Sequence, residues 1–242
     1  MIGFGLDLSG YTTQRTSLAA AVVRGQAVEA VLLKNSALSI RRATDMSVEE
    51  VVGADVCELT RCLDIGPVAV DIPIDLQHLL APQRAEKIWE LTRRPIDKRL
   101  NGMAPLADRI GAPVARFAAI LRKGGFESRL GKDLFETYPS ENLRRIYGQN
   151  LTRPAARERF CRNFSLDVPN DDDLDAVVCA IAAVVPDDAV VTAAEFDLGG
   201  YCLPNGFRIL KRAPFERITV TECDFAIWMT DQRCPTPSAS SA

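Results

Sequence analysis

Four aspartates occupy positions where carboxylates from distant parts of the chain can meet. Asp7 and Asp71 each end a short apolar run that predicts a strand. The carboxyl ends of such strands gather at one edge of a sheet, so these two side chains are expected to be neighbours. Asp172 and Asp175 stand three residues apart at the start of a predicted helix, which places them on one helical face. If that helix begins over the same edge, the four residues form a cage of oxygens.

Such a cage predicts a site for one or two divalent metal ions. Like charges at close range repel each other and raise each other's pKa unless a cation neutralises them. Carboxylate oxygens without His or Cys favour Mg²⁺ or Mn²⁺. Two such ions can activate a water molecule and stabilise the leaving oxygen of a phosphodiester.

Each aspartate also has a purely structural interpretation. Asp7 lies shortly before Gly10 and suits a turn, and Asp71 is able to cap the segment after it. The acidic run Asp171–Asp173 suits a helix N-cap and first turn. These interpretations stay open for each residue taken singly, whereas the order of the surrounding elements favours a shared site.

The elements that would position these aspartates are those of a mixed α/β sheet. Patterns bounded by turn residues predict three antiparallel strands at the start of the chain, with a hairpin turn at Gly25. A capping box of Ser47 and Glu50 predicts a helix that ends near Gly66. Apolar runs closed by proline predict two further strands. The predicted strands are Gly3–Leu8, Ser17–Arg24, Val28–Lys34, Val68–Pro73 and Leu134–Pro139, and a buried helix is predicted at Asp171–Val185.

The remaining segments are predicted to pack around this core or to extend from it. Helical pieces broken by Pro and Gly predict a helical insertion from about 82 to 130, and Ser140 is predicted to cap a helix after the last strand. Strand-like pieces at Ala189–Ala193 and Leu203–Leu210 complete a predicted single domain of residues 1–230. Residues 231–242 are predicted to be a disordered tail.

The composition excludes several kinds of site. The seven cysteines are odd in number and show no Cys-x-x-Cys spacing, which fits neither a disulfide framework nor a zinc site. The single histidine, His78, excludes His-rich metal sites and most Ser-His-Asp triads. The first residues do not read as a secretory leader and no apolar run approaches a membrane span, so a cytoplasmic location is expected. Any chemistry must therefore rest on carboxylates.

Charge is unevenly distributed along a chain whose net charge is −3. Between Arg84 and Arg162 there are 18 Lys and Arg against 9 Asp and Glu, which leaves net +9 in this segment and −12 in the rest. Two interpretations remain open: solvated helix faces, or a surface that binds the phosphates of a nucleic acid. In the second, Arg94, Lys98 and Arg99 are candidate phosphate-binding residues.

Four short motifs, in this order, resemble one known family. They are Gly5-Leu6-Asp7-Leu8-Ser9, Val70-Asp71-Ile72-Pro73, Phe135-Glu136-Thr137-Tyr138-Pro139 and Asp172-Asp173-Leu174-Asp175-Ala176. The chain resembles the family catalogued as domain of unknown function 429, which is predicted to comprise ribonuclease-H-like nucleases. The resemblance extends from the first strand to the end of the helix that contains the fourth motif. The resemblance implies a ribonuclease-H-like α/β fold: a mixed sheet with a three-stranded antiparallel meander, flanking helices and a helical insertion.

The resemblance also implies roles for individual residues. The family's first-strand aspartate corresponds to Asp7, its Asp-x-Pro carboxylate to Asp71, its Glu-x-Tyr-Pro glutamate to Glu136, and its Asp-x-x-Asp-Ala pair to Asp172 and Asp175. The final pair is also similar to the terminal Asp-x-x-Asp of Holliday-junction resolvases of the same fold. The stretch that contains Arg94 and Asp97 departs from the family's Arg-x-Cys-Asp-type stretch because it lacks the cysteine.

The leading interpretation is a metal-dependent nuclease or phosphodiesterase that acts on DNA or RNA. The four aspartates would hold Mg²⁺ or Mn²⁺, and Glu136 would bind metal or position water. One alternative is ATP-dependent phosphoryl transfer, as in the related actin and Hsp70-like proteins, although the chain shows one core and no convincing Gly-rich phosphate loop. Another is a non-catalytic protein that binds nucleic acid or phosphate and keeps the carboxylates for stability or regulation.

Overall fold

A six-stranded mixed sheet forms the centre of the described chain. The structure is a computed structural model, and it describes residues 1–10, 16–38, 47–74, 92–100, 102–105, 108–191, 206–213 and 215–231. The strands are β1 (Ile2–Asp7), β2 (Ser17–Arg24), β3 (Ala27–Lys34), β4 (Val68–Val70), β5 (Leu134–Glu136) and β6 (Arg217–Asp224). They lie in the order β5-β4-β1-β2-β3-β6.

The sheet combines an antiparallel meander with strands that add in parallel. Strands β1, β2 and β3 form an antiparallel meander, with the β2–β3 turn at Gly25, whose φ of 62° suits glycine. Strands β4 and β5 then add in parallel beside β1. The predicted fold class is therefore confirmed. One strand was not predicted from the sequence: β6 pairs in parallel with the outer edge of β3.

Helices cover both faces of the sheet. They are α1 (Val48–Ile65), α2 (Pro95–Arg99), α3 (Asp108–Gly124), α4 (Pro139–Tyr147), α5 (Arg153–Phe164), α6 (Asp171–Val184) and α7 (Phe225–Asp231), with short 3-10 turns at Phe126–Arg129 and Asp187–Ala189. Helices α1 and α3 pack on one face around a core that includes Leu59 and Phe117. Helix α6 packs on the other face, where its buried residues meet those of β2 and β3. None of the helices in the described ranges is both long and apolar enough to cross a membrane.

The structure confirms one predicted helix cap and differs from another. The Ser47–Glu50 capping box is present at the start of α1, because each side chain accepts from the other residue's backbone N–H. Ser140 does not cap α4: the N-cap is Tyr138, and Pro139 fills the first turn, where its missing N–H costs nothing. The part of the predicted insertion that the structure describes contains α2, α3 and one 3-10 turn, while 82–91, 101, 106–107 and the tail from 232 lie outside the described residues. The two predicted strand-like pieces, Ala189–Ala193 and Leu203–Leu210, lie partly outside them as well, because 192–205 are not described.

A close contact between β1 and α6 sets the position of the helix. A Cβ atom added at Gly5 would lie 2.0 Å from the carbonyl oxygen of Ala176 and 2.1 Å from the backbone nitrogen of Ala180. Only glycine on the strand allows the helix backbone to approach so closely, and the alanines on the helix keep its surface flat. This contact fixes the start of α6, and with it the acidic first turn, near the carboxyl end of β1.

A buried arginine fixes the segment that follows β1. Arg116 of α3 binds both carboxylate oxygens of Asp55 at 3.0 Å, and the two side chains are almost fully buried. The same guanidinium donates to the carbonyl oxygen of Ser9, the hydroxyl of Thr16 and the carbonyl oxygen of Leu38, each at 3.0 Å. Arg116 thereby ties α1 and α3 to the residues on either side of 11–15.

Candidate functional site

The carboxyl ends of β1, β4 and β5 meet at one edge of the sheet. Leu6, Val70 and Glu136 are in register across the three strands. Asp7 is the last residue of β1, and the backbone N–H of Asp71, just after β4, donates to the carbonyl oxygen of Leu6 at 3.0 Å. The structure thus brings Asp7 and Asp71 together.

Strand alternation decides which carboxylates share a face. Side chains two residues apart on a strand point to the same face. Gly5 and Ala69 face α6, so Asp7 and Asp71 point to the α6 side. Val70 packs in the core on the α1 and α3 side, and Glu136, in register with it, points there too. The structure therefore separates Glu136 from the face that Asp7 and Asp71 share.

The first turn of α6 brings further carboxylates to this face. Burial raises the pKa of Asp7 well above its ordinary value, and the negative charges of Asp71, Asp172 and Asp173 raise it further. Arg153 acts in the opposite direction on the same pKa. Asp7, Asp71 and Asp172 consequently form one electrostatic group, which we call the carboxylate cluster.

Asp71 is the second member of the cluster with a strongly shifted pKa. Burial raises its pKa to about 6, with a further contribution from the charge of Glu136, while the charge and hydrogen bond of Arg153 lower it. A carboxyl group with such a pKa holds its proton through mildly acidic pH. Arg153 therefore does not offset the effect of burial on this carboxyl group.

Arg153, the first residue of α5, joins Asp71 to Asp175. Its guanidinium binds the carboxylate of Asp175, which is almost fully buried, and lies 3.6 Å from that of Asp71. Asp175 thus reaches the cluster through an arginine rather than directly. About a third of the Arg153 side chain is exposed, so solvent and ligands have access to it.

The cluster fits a divalent ion in its donor chemistry. Its members are hard oxygen donors, and the pKa values of Asp7 and Asp71 are raised, which is the condition that a bound cation relieves. In the arrangement described, however, no three His, Cys, Asp or Glu side chains from the described residues stand close enough to hold a metal ion. Arg153 lies between two of the carboxylates instead. Binding of an ion by Asp7, Asp71 and Asp172 would thus require Arg153 to turn away.

Cys179 lies beneath the cluster but does not join it. Burial raises the pKa of its thiol well above the ordinary value, and the charges of Asp71 and Asp7 raise it further. The thiol is therefore neutral, and it packs against Ala69 and Phe135 as a small apolar residue.

Asp173 has a structural task beside the cluster. It is buried, accepts from the hydroxyl of Ser17 at 2.7 Å, and pairs with Lys34 at 3.3 Å. The side chain of Asn170, which caps α6, donates to it at 2.9 Å. These contacts anchor the helix start to β2 and β3, so Asp172 is held beside Asp7.

Glu136 belongs to a buried ion pair with Arg94. Two guanidinium nitrogens of Arg94 donate to its carboxylate at 2.9 and 2.5 Å, and the backbone N–H of Ile74 donates at 2.8 Å. Arg94 also binds both oxygens of Asp97, at 2.9 and 2.7 Å. With both carboxylate oxygens occupied in this way, Glu136 supports the end of β5 rather than entering the cluster.

The three candidate phosphate-binding residues divide into one buried and two exposed side chains. Arg94 is 2% exposed and faces Asp97 and Glu136, so it is not on the surface. Lys98 and Arg99 are exposed on α2. Much of the basic segment around them pairs within the protein, as in Arg129 with Asp133, Arg144 with Glu141, Arg157 with Asp171 and Arg162 with Glu158.

Sequence reasoning missed Arg153, Asp55 and Arg116. An arginine at the first position of a helix is opposed by the macrodipole, so Arg153 carried a signal that a carboxylate partner lay nearby. Asp55 interrupts the apolar stripe of α1, which predicts burial with a cationic partner. The sequence does not say which residues those partners are.

No protein-family model matches the chain, and no curated protein matches it. Among solved structures, the chain is similar to RuvC of T. thermophilus, determined in complex with a Holliday junction substrate. The two share 16% sequence identity with a TM-score of 0.43, and the match covers 84% of this chain and 99% of the RuvC chain. The side chains of the protein itself therefore carry the functional conclusion.

Proposed function

We propose that the protein is a metal-dependent phosphodiesterase that hydrolyses DNA or RNA at the carboxylate cluster. The supporting observation is that Asp7 and Asp71, at the ends of adjacent parallel strands, face the same side, and that burial and neighbouring negative charges raise their pKa values. Asp7, Asp71 and Asp172 would supply the ligands of Mg²⁺ or Mn²⁺, with one or two ions bound. The proposal includes membership of the family catalogued as domain of unknown function 429.

In this proposal the residues in and beside the cluster have different roles. A bound ion would lower the pKa of a water molecule and neutralise charge on a phosphate. Asp7 and Asp71 are held by the strand ends, so their oxygens need little reorganisation to bind. Arg153, once released from Asp71, has an exposed guanidinium that can bind a phosphate oxygen of the substrate. Asp175 keeps Arg153 near the cluster throughout.

Arg153 also favours a second candidate function. As described, it neutralises Asp71 and Asp175 in the way that a metal ion would. A non-catalytic protein that binds phosphate or nucleic acid through Arg153, with carboxylates that serve stability, is consistent with that arrangement. The two candidates differ in whether divalent ions bind and whether a phosphodiester is cleaved.

The test is a cleavage assay on a panel of labelled single-stranded, double-stranded and branched DNA and RNA. The wild type is assayed with Mg²⁺, with Mn²⁺ and with a chelator, beside Asp7→Asn and the control Asp188→Asn, which alters an exposed carboxylate in a 3-10 turn. The nuclease proposal expects metal-dependent cleavage that Asp7→Asn lowers by at least about a hundredfold and Asp188→Asn leaves unchanged. Metal-independent binding without cleavage of any substrate would favour the second candidate.

A further inference from the structure

A small cavity opens beside the carboxylate cluster. Its volume is about 230 Å³, and both Asp71 and Arg153 contribute to its lining. Pockets for drug-sized ligands run from roughly 300 to 1,000 Å³, so this one suits a single ring system. It is bounded by the end of β4, the segment 102–105 and the start of α4. A ligand in it would touch the cluster at one end.

One wall of the cavity is an aromatic ring that is held in place. The hydroxyl of Tyr138 accepts from Arg94 at 2.9 Å and donates to Asp97. The ring of Phe207 packs on it with a centroid distance of 5.4 Å. Because the ring is fixed before a ligand arrives, stacking on it costs little side-chain entropy.

The opening beside the ring depends on a glycine and a methionine. A Cβ atom added at Gly102 would lie 2.9 Å from Cε1 of Tyr138, so a side chain there would press on the ring. Met103 follows and is 51% exposed. A thioether packs favourably against aromatic rings, which gives this exposed methionine a use when a planar ligand is bound.

The remaining lining combines apolar surface with a few polar groups. Ile72, Pro73 and Ile110 are apolar, whereas Ser140, Asp71 and Arg153 offer hydrogen-bond donors and acceptors. A flat ring with polar edges matches this combination better than an aliphatic group, which would leave the donors and acceptors unpaired. Nucleobases have that chemistry, and they stack on aromatic side chains.

We propose that this cavity binds the nucleobase of a nucleotide adjacent to the phosphodiester that is cleaved, so that the substrate must present an unpaired base. A base inside a duplex cannot enter such a cavity without leaving its stack. The proposal rests on the proposed function, because it places the base relative to the carboxylate cluster. It adds a substrate class, namely single-stranded, looped or otherwise unpaired nucleic acid.

The test measures the binding of 2-aminopurine riboside, a fluorescent nucleoside without phosphate, to the full chain in the presence of a chelator. Met103→Ala removes an exposed wall of the cavity, and Ser140→Trp fills it from an exposed position. Ile227→Ala is the matched control, since it removes an apolar side chain of similar exposure, 60%, from α7. Loss of the contact between the thioether and the bound ring weakens binding between about twofold and about tenfold, which is the expected range for Met103→Ala.

The outcomes separate this proposal from the proposed function. Binding by the wild type and Ile227→Ala that is weakened in Met103→Ala and abolished in Ser140→Trp supports a nucleobase site. Absence of binding to the wild type, or equal binding by all four proteins, overturns it. Because the nucleoside carries no phosphate and no metal is present, metal binding and cleavage are measured independently, and either proposal can fail while the other stands.

Discussion

The guanidinium of Arg153 lies 3.6 Å from the carboxylate of Asp71, at the edge where β1 and β4 end. It also binds Asp175, so one arginine joins a strand carboxylate to a helix carboxylate. Burial raises the pKa of the neighbouring Asp7, and the negative charges of Asp71 and Asp172 raise it further. The ion pair of Arg153 and Asp71 is therefore the contact that a divalent ion has to replace.

We expect Arg153→Gln to bind Mn²⁺ more tightly than the wild type. Removal of a unit positive charge about 4 Å from a divalent ion relieves a repulsion worth about 2 kcal/mol even in bulk water, which corresponds to a gain of about thirtyfold. Calorimetric titration at pH 7.5 measures it. Arg157→Gln, on the same helix but paired with Asp171, is the control and should bind as the wild type does. Weaker binding by Arg153→Gln would show that Arg153 assists the ion.

The stability of the metal-free protein should fall as pH rises from about 4 to about 6. The pKa of Asp71 is about 6 in the folded protein and about 3.9 in an unfolded chain, so the folded state binds the proton more tightly in this interval. The free energy of unfolding therefore decreases, by about 3 kcal/mol in total from this group. Urea unfolding from pH 4 to 8 should show a smaller decrease for Asp71→Asn. A wild-type-minus-variant difference that is constant with pH would contradict the assigned pKa.

Arg94 and Glu136 should differ in their effect on stability. Arg94→Met leaves two buried carboxylates, Asp97 and Glu136, without their arginine, and removal of one partner from a buried pair costs about 3–5 kcal/mol. Glu136→Gln should lower the free energy of unfolding by less, because Arg94 remains paired with Asp97. Urea unfolding compares both with Arg122→Met, an exposed arginine of α3 that should change stability by no more than about 0.5 kcal/mol.

The same Glu136→Gln protein tests where Glu136 acts. Because Glu136 points away from the α6 face, the variant should retain Mn²⁺ binding within about threefold of the wild type. A folded Glu136→Gln protein that no longer binds Mn²⁺ would place Glu136 in the cluster after all.

Gly5→Ala should disturb both stability and the cluster. The added methyl group would overlap the backbone of α6 at 2.0 Å from Ala176, so the helix has to move outward. Overpacking of this kind costs about 1–3 kcal/mol or more, and the move takes Asp172 away from Asp7. Gly53→Ala in α1 is the control: its Cβ would meet only the end of Lys123 at 3.5 Å, and alanine favours the helix. A Gly5→Ala protein with wild-type stability and Mn²⁺ affinity would refute this account of the packing.

Most strands of the sheet could be predicted because each is marked by a pattern within its own segment of the sequence. Alternation and turn residues mark the meander, and apolar runs that end in an acid mark β4 and β5. Strand β6 was not predicted, although Ile218 and Val220 alternate with Thr219 and Thr221 and all four residues are β-branched. A strand signal is thus present in the sequence, whereas the place of this strand beside β3 depends on a long-range pairing that no local pattern encodes.

The site was predictable in part for a related reason. Strand ends determine that Asp7 and Asp71 are neighbours, whatever the rest of the chain does. The face of the sheet to which Glu136 points depends on the register of β5 beside β4. A shift of one residue in that register would reverse the direction of its side chain. The partner of Arg153 depends on how α5 packs beside α6, and no local pattern encodes that contact.

Mn²⁺ binding by the carboxylate cluster is the central claim, and calorimetric titration of the wild type, Asp7→Asn and Asp188→Asn at pH 7.5 tests it most directly. Asp7 and Asp71 lose their protons as pH rises, so this pH favours the ion. We expect the wild type and Asp188→Asn to bind Mn²⁺ equally well, and Asp7→Asn to bind at least about tenfold more weakly while it stays folded. Equal binding by all three proteins, or no binding by the wild type, would contradict the account.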